Sequence, residues 1–480
     1  VINHEHTEAE ALFFMGINSM GTGDAQHAEE CFSRAVQIDP YFAEAYANLG
    51  LMLDRRGVID IAEDCYRHSI EINPAHSETY LNLGALLANR KQFDEAEAYY
   101  KQAIKLKKEC PIAWSNLGAL YACMKREVEA EHCYRSAIAL NNDYAKARFN
   151  LSYLLLRQGR FEEGWHCLEA RNWYEAIAKH LLCPRWQGES LAGKSILISY
   201  EAGYGDVIQF CRYSAVLKTQ GAASITMICH PPLKRLLASM HGLDAVISYD
   251  EKITTSTWDF WTPLLSIPYH CKTRLDTIPA KIPYLGAQSN LIEKWRSALP
   301  KTGLNVGLVW KGNPLFENDA DRSLPSLEML APLWNVAGVN FISLQKGAGE
   351  LEAGSLPNGL PLVNLGCQLE DFTDTAAVVM NLDLLICVDT AVAHLTGALG
   401  KPCWVLLPDY KTDWRWLTKR TDSPWYPKSM RLFRQQTMGD WTAIVQELVF
   451  ALSQLAVDAA QSDAPKRETQ ENSMRRRDTF

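Results

Sequence analysis

Over the first 170 residues the pattern of apolar, small and polar positions returns at an offset of 34. The triplet NLG stands at Asn48–Gly50, Asn82–Gly84 and Asn116–Gly118 and decays to NLS at Asn150. Ala28, Ala62, Ala96 and Ala130 keep the same spacing, as do the aromatics Phe32, Tyr66, Tyr100 and Tyr134 and the small residues Ala35, Ser69, Ala103 and Ala137. Each period predicts two amphipathic helices. Small residues such as Gly50 and Ala62 let the paired helices approach, and Tyr46, Leu49 and Tyr66 fill the space between them. Pro40 and Pro74 predict the ends of second helices, although Lys108 and Asn142 stand at the equivalent places later on. Four full units and a degenerate fifth reach to about Arg171.

This period, with its small residues and aromatics on successive helices, resembles the tetratricopeptide repeat. The resemblance implies a right-handed superhelix with one concave face. Asn48, Asn82, Asn116 and Asn150 fall on equivalent positions of the inner helices. They form a ladder of amides able to hydrogen-bond an extended peptide, at roughly 0.5–1.5 kcal/mol net per bond. The alternative is that each Asn satisfies its own helix. Asn150 also opens an N-x-S triplet, but inside a packed helix, where glycosylation is not expected.

Beyond Arg171 the period changes. Residues 172–194, with Trp173, Pro184, Trp186, Gly188 and Gly193, read as a packed connector. Ser195–Tyr200 is a short apolar strand, followed by the glycine-rich EAGYGD and the helical VIQFCRYSAVLK. Strand, glycine turn and helix open an α/β unit. Further strands are expected at Ser224–Cys229 and Ala245–Ser248. A second series begins at Asn305 (NVGLVW) and continues at Val339–Gln345, Leu362–Leu365, Leu382–Val388 and Cys403–Pro408. The expected organisation is repeats over 1–171, connector 172–194, first lobe 195–286, helical bridge 287–302, second lobe 303–440, closing helix 441–455 and a disordered polar tail 456–480. The two lobes should face a cleft at the carboxyl ends of their strands.

Composition narrows the classes. The chain has 480 residues, 47% apolar and 22% charged, which is ordinary globular composition with room for several domains. A net charge of −8 disfavours a general nucleic-acid binder. No run of 18 uncharged apolar residues occurs, so no membrane span is expected. The chain begins with Val1, so a targeting segment ahead of it is left open. Thirteen cysteines without a CxxC pair argue against a disulfide framework or a structural zinc. Cys31, Cys65, Cys133 and Cys167 fall in phase with the repeat, as small buried residues do, and a reducing cytoplasm is the expected setting.

Three clusters sit where strands of the lobes should end. The first is Gly203-Tyr204-Gly205-Asp206, in which glycine admits a ligand close to the backbone; Asp206 also fits an ordinary helix cap. The second is Trp310-Lys311-Gly312-Asn313-Pro314 with Arg322 behind it. Lys311 suits a phosphate as a point charge and Arg322 as a fork, and Lys346 is a further cation of this kind. Solvated surface charges are the plainer alternative. The third is Asp389-Thr390-Ala391-Val392-Ala393-His394. A buried strand runs directly into a helix of small residues whose amino end offers free N–H groups to a diphosphate.

Together the clusters GYGDVIQFCRY, WKGNP…NDADRS, DTAVAHLTGALGKP and DWRWLTKRTDSPWYP resemble those of inverting glycosyltransferases of the two-lobed GT-B architecture. The match is to the heptosyltransferase-like family, often fused to tetratricopeptide repeats in bacteria, over roughly residues 195–450. The resemblance implies a fold of class α plus α/β, a repeat superhelix followed by two Rossmann-like lobes. It implies Asp206 as base, and donor contacts from Lys311, Asp389, Thr390, Ala391 and His394, with Asn313, Arg322 and Lys346 nearby. It also implies a nucleotide-diphosphate sugar as co-substrate, with no other cofactor and no metal. The order of parts is similar to that of protein O-linked N-acetylglucosamine transferases, in which an asparagine ladder holds the acceptor polypeptide. The first lobe is short for a full Rossmann lobe. A repeat scaffold that keeps the fold without catalysis is the alternative from another class.

Overall fold

The computed structural model describes residues 2–252, 258–355 and 362–475. The chain divides into two compact units, Val1–Leu154 and Leu155–Phe480.

The first unit consists of antiparallel helix pairs in the expected register: Ile2–Thr22 with Ala25–Ile38, Ala43–Arg56 with Ile59–Ile72, Ser77–Asn89 with Phe93–Leu106, and Pro111–Cys123 with Glu127–Leu140. The helix Ala145–Arg157 begins a fifth pair. The small residues act as the spacing implied. A Cβ on Gly50, Gly84 or Gly118 would lie 2.8–2.9 Å from the ring of Tyr66, Tyr100 or Tyr134 respectively, so only glycine admits that ring. Ala28, Ala62, Ala96 and Ala130 are fully buried. Prolines are not needed to end the second helices. Those closing at Leu106 and Leu140 stop in the same place as those before Pro40 and Pro74, each with the N–H of the next residue bonded back to Ala103 or Ala137.

Among its described residues the second unit holds ten strands: β1 (Ser195–Ser199), β2 (Ser224–Cys229), β3 (Ala245–Ser248), β4 (Phe260–Pro263), β5 (Leu304–Val309), β6 (Val339–Ser343), β7 (Leu362–Asn364), β8 (Leu384–Val388), β9 (Cys403–Leu407) and β10 (Met430–Arg434). They form two parallel sheets, ordered β3-β2-β1-β4 and β10-β9-β8-β5-β6-β7. Numbered from its own first strand, the second sheet runs 3-2-1-4-5-6, the order of a doubly wound α/β sheet, and the first carries the 3-2-1-4 part of it. Sequence reading missed β4 and β10. The first is four residues ending in Pro263, and the second alternates with exposed Arg431.

The structure corrects the reading of the carboxyl terminus. The last helix runs over Thr442–Arg475, past the expected end at Leu455, and the disordered tail expected from residue 456 is not observed. Ala456, Ala459, Ala460 and Gln461 are strong helix formers, and polarity alone does not stop a helix. Residues 476–480 lie outside the described residues. The Thr442–Gln461 part is also long and apolar enough, by length and composition, to cross a bilayer, where no span was expected. Its apolar face has a simpler account: Ile444, Val445, Leu448 and Leu452 are buried in the core of the second sheet with Leu333, Phe433 and Trp441.

The helix Phe161–Leu168 belongs to the second unit, ahead of residue 171, where the repeat pattern ends. Its Trp165 packs edge-on against Trp414 at 5.3 Å and Phe161 stacks on Trp425 at 5.9 Å. Behind it Arg171 grips Glu201 through two bonds of 2.9 and 2.8 Å, with both side chains fully buried.

Candidate functional site

In a parallel α/β sheet the crevice opens where the strand order reverses, beyond the carboxyl ends of the two central strands. Those points lie between β1 and β4 in the first sheet and between β5 and β8 in the second. The three sequence clusters follow β1, β5 and β8, so each leaves its sheet at a reversal. The pairing Val309↔Cys387 sends Trp310–Lys311 and Val388–Asp389 out of the second sheet side by side.

The two crevices meet through their helices. Helix Tyr204–Phe210 follows the first glycine turn and helix Ala391–Ala398 follows Asp389-Thr390. A Cβ on Gly205 would lie 2.9 Å from His394 Cδ2 and 3.6 Å from Ala391 Cα, so this glycine is what permits the approach. His394 is buried, stacks on Trp416 (5.2 Å, 16°) and shares a 2.9 Å hydrogen bond between Nδ1 and the Tyr426 hydroxyl. Burial, then the charges of Arg415 and Arg212, push its proton affinity well below the ordinary histidine value. It is therefore a neutral imidazole, which holds the Ala391 helix in place. Thr390 caps that helix without a side-chain bond, and its Oγ1 has no partner among the described residues.

Asp206 has a partner on each oxygen. Its Oδ2 accepts from the Gly203 N–H at 2.8 Å and its Oδ1 pairs with Arg415 Nη2. Arg415 lies in the segment after β9. It also donates to both oxygens of Asp413 at 3.0 Å and to Gln209 Oε1 at 2.7 Å, so it ties the Tyr204 helix to the second sheet. Arg235 with Asp371 (3.0 Å) and Tyr204 edge-on to Phe372 (5.4 Å) are further contacts between the two halves.

The cations are disposed differently. Lys311 Nζ pairs with Glu352, which also accepts from Trp310 Nε1 (2.9 Å) and the Leu327 N–H (2.8 Å). Burial would push the Glu352 carboxyl up, but Lys311 and the two N–H donors outweigh it and hold it below its ordinary value. Lys346 donates to the Leu369 carbonyl at 2.5 Å, and Asn313 lies on an exposed loop where its Oδ1 accepts from the Leu315 N–H. Arg322 is the exception. Its Nε donates to Asp319 at 3.0 Å and its guanidinium lies over the Phe316 ring, while its two Nη groups bond to none of the described residues.

Asp389 lies beside Trp416, Arg322 and Arg415. Burial, then the charge of Asp413, pushes its carboxyl up to about 6, against Arg322, Trp416 and Arg415. This carboxyl and an open guanidinium fork thus share the end of β8, with the amino end of the Ala391 helix beside them.

Three positioning groups escaped sequence reading. Gln345, buried after β6, accepts the N–H groups of Trp310 (2.9 Å) and Lys311 (3.0 Å) and donates to the carbonyls of Lys311 and Ala348, which fixes the loop carrying Lys311. Arg212 is buried against Tyr284 and Tyr426 and donates to the Trp425 carbonyl at 2.7 Å. Arg415 stood inside a quoted motif without a role. Among the described residues no three His, Cys, Asp or Glu side chains converge to hold a metal ion.

In the repeats, Asn48 Nδ2 donates to its own helix at the Glu44 carbonyl (2.8 Å). The half-buried amides of Asn82, Asn116 and Asn150 bond to none of the described residues.

Family models match this first part. Residues 22–131 match the family described as "Cilia and flagella-associated protein 70 middle TPR-like domain", and residues 129–164 match "Tetratricopeptide repeat". The N-terminal region is therefore an array of tetratricopeptide repeats, an architecture that points to protein or peptide partners. Protein FlbA of Caulobacter vibrioides is 26% identical over 294 residues, which is 57% of this chain and 48% of FlbA. The chain thus spans about half the length of that curated relative. Among solved structures, pilF of Pseudomonas aeruginosa is 18% identical (TM-score 0.33, covering 37% of this chain and 87% of its own). MamA is 19% identical (TM-score 0.30, covering 34% and 94%).

Proposed function

We propose that the chain is an inverting, metal-independent glycosyltransferase of the GT-B kind. It moves a sugar from a nucleotide-diphosphate donor to a hydroxyl of a protein or glycan acceptor recruited by the repeats. The observation that carries this reading is the open fork of Arg322 beside Asp389 and the uncapped Ala391 helix, where the strand order of the second sheet reverses. An anion with two oxygens to share satisfies the Arg322 fork and the N–H groups of the Ala391 helix. In this reading the diphosphate lies against Arg322, Lys311 and the helix N–H groups, which stabilise the leaving group as its bond to the sugar lengthens. Lys311 reaches it by leaving Glu352. Asp389 and Thr390 accept from or donate to the sugar hydroxyls. The first sheet supplies the proton acceptor.

Calorimetric titration with ADP, UDP, GDP and CDP in the presence of EDTA tests the donor site. One nucleotide binds in preference, and Arg322→Ala weakens it by about 10–100-fold, the worth of a charge-assisted pair of bonds. Failure of all four to bind sinks the reading.

A second reading is favoured by the ion pairs themselves. Lys311 with Glu352 and Asp206 with Arg415 neutralise one another, so this part of the cleft needs no ligand to be stable. On that reading the α/β unit is a scaffold and the repeats are the working part. The same titration separates the two.

A further inference from the structure

The end of the first sheet carries an aromatic group that the donor site does not use. Tyr200, His230 and Tyr249 follow β1, β2 and β3 directly, so they emerge side by side at the carboxyl edge. Tyr200 stacks on Tyr249 at 5.1 Å, and His230 meets the rings of Tyr200, Tyr204 and Tyr249 edge-on at 5.2, 4.9 and 5.7 Å. Tyr204 and Tyr249 are 40% and 47% exposed, and Tyr204 also touches Phe372 from the second sheet, so the group borders the cleft. His230 Nδ1 is buried and has no partner among the described residues. Neither ring nitrogen bonds to a described residue, and Nε2 is the one left open to solvent.

We propose that His230, rather than Asp206, is the catalytic base that takes the proton from the acceptor hydroxyl; this rests on the transferase reading above. Asp206 accepts from the Gly203 N–H on one oxygen and pairs with Arg415 on the other, which commits it to holding the glycine turn and the Tyr204 helix to the segment after β9. His230 has an accessible nitrogen and lies within the field of Asp206. Burial pushes its proton affinity below the ordinary histidine value, against the pull of Asp206, so it is neutral and able to accept at neutral pH. The groups facing it are Asp206, whose charge stabilises the imidazolium once formed, and the three phenols Tyr200, Tyr204 and Tyr249.

The step balances as follows. The acceptor O–H passes its proton to His230 Nε2 as its oxygen bonds to the anomeric carbon. The bond from that carbon to the diphosphate oxygen breaks, and its electron pair leaves with the nucleotide. The imidazolium then returns its proton to solvent. The exposed faces of Tyr204 and Tyr249 suit the apolar face of a pyranose, and their free hydroxyls suit its hydroxyl rim, so the acceptor group nearest the base is a sugar ring.

The test is release of nucleoside diphosphate by the purified full-length protein from UDP-N-acetylglucosamine, UDP-glucose, GDP-mannose and ADP-heptose, with water as acceptor. For the donor that turns over, His230→Gln lowers the rate by about 100-fold or more. Nucleotide affinity, read by calorimetry, and the melting temperature stay at wild-type values. In His230→Ala, added imidazole restores part of the rate, which a merely structural role would not allow. The wild-type rate falls as the pH is lowered through the acidic side of the histidine range, and Asp206→Asn shifts that limb to lower pH because it removes the charge that favours the imidazolium. A wild-type rate that survives His230→Gln, or a His230→Ala loss that imidazole leaves unchanged, overturns the assignment alone. No release from any of the four donors by the wild-type protein overturns the transferase reading and this assignment with it.

Discussion

At the scale of single residues, Asp389 is the group whose chemistry is most altered by its surroundings. Its carboxyl stands at about 6, raised first by burial and then by Asp413. A carboxylate with a raised folded-state value binds more protons when folded than when unfolded, so the stability it allows is present at acid pH and declines as pH rises from about 4 through about 6. Asp389→Asn removes that decline. We expect the variant to be more stable than wild type above the window by about 1–3 kcal/mol and equal to it below, as read by urea unfolding at a pH on either side. The same substitution weakens any ligand whose hydroxyls the carboxylate holds, a common exchange of stability for function. Asp206 was legible as a candidate because it follows a strand and a glycine turn, and Lys311 because it comes directly after a strand. Their partners were not. Arg415 lies 209 residues from Asp206, and Glu352 lies 41 from Lys311, so no local pattern joins them.

At the scale of elements, the repeat shows how one backbone geometry is met by different residues. The turn between the two helices of each pair places Gly23, Gly57, Lys91, Lys125 and Gly159 in the left-handed region, with φ of 84°, 84°, 61°, 60° and 79°. The spacing is again 34, yet the third and fourth repeats use lysine. A side chain there costs about 1–2 kcal/mol, partly offset by the extra freedom glycine gives the unfolded chain. Lys91→Gly and Lys125→Gly should therefore each stabilise the protein, by up to about 1 kcal/mol, seen as a rise in melting temperature. A drop would mean that the lysine side chains make contacts that outweigh the strain. The strands show the complementary lesson. Eight of the ten were legible as apolar runs, because parallel strands buried on both faces leave such runs. β4 and β10 were not, being short or interrupted by arginine, and their place in the sheets comes from pairing with β1 and β9.

At the scale of the whole molecule, the boundary between the units is set by packing and not by the repeat pattern. Phe161 and Trp165 are buried among Phe210, Trp414 and Trp425, and Arg171 neutralises Glu201 in the loop that leads to Asp206. A fragment beginning at Leu155 should fold cooperatively, whereas one beginning at residue 172 should lose about 3–5 kcal/mol from the unpaired Glu201 charge alone, besides the exposed aromatic surface. Circular dichroism melts of the two fragments check this, and equal stability would show the helix Phe161–Leu168 to be dispensable. The amino-acid sequence by itself determined the repeats, most of the strands and the three loops that carry candidate chemistry. Each of these is a local periodicity or a strand end, and short-range sterics and burial write them into neighbouring residues. Only the tertiary structure decided which charges meet: Asp206 with Arg415, Lys311 with Glu352, Arg322 left open, His230 among tyrosines. Those pairings depend on how two sheets close over a crevice, and the energy of a charge is set by what folding places beside it.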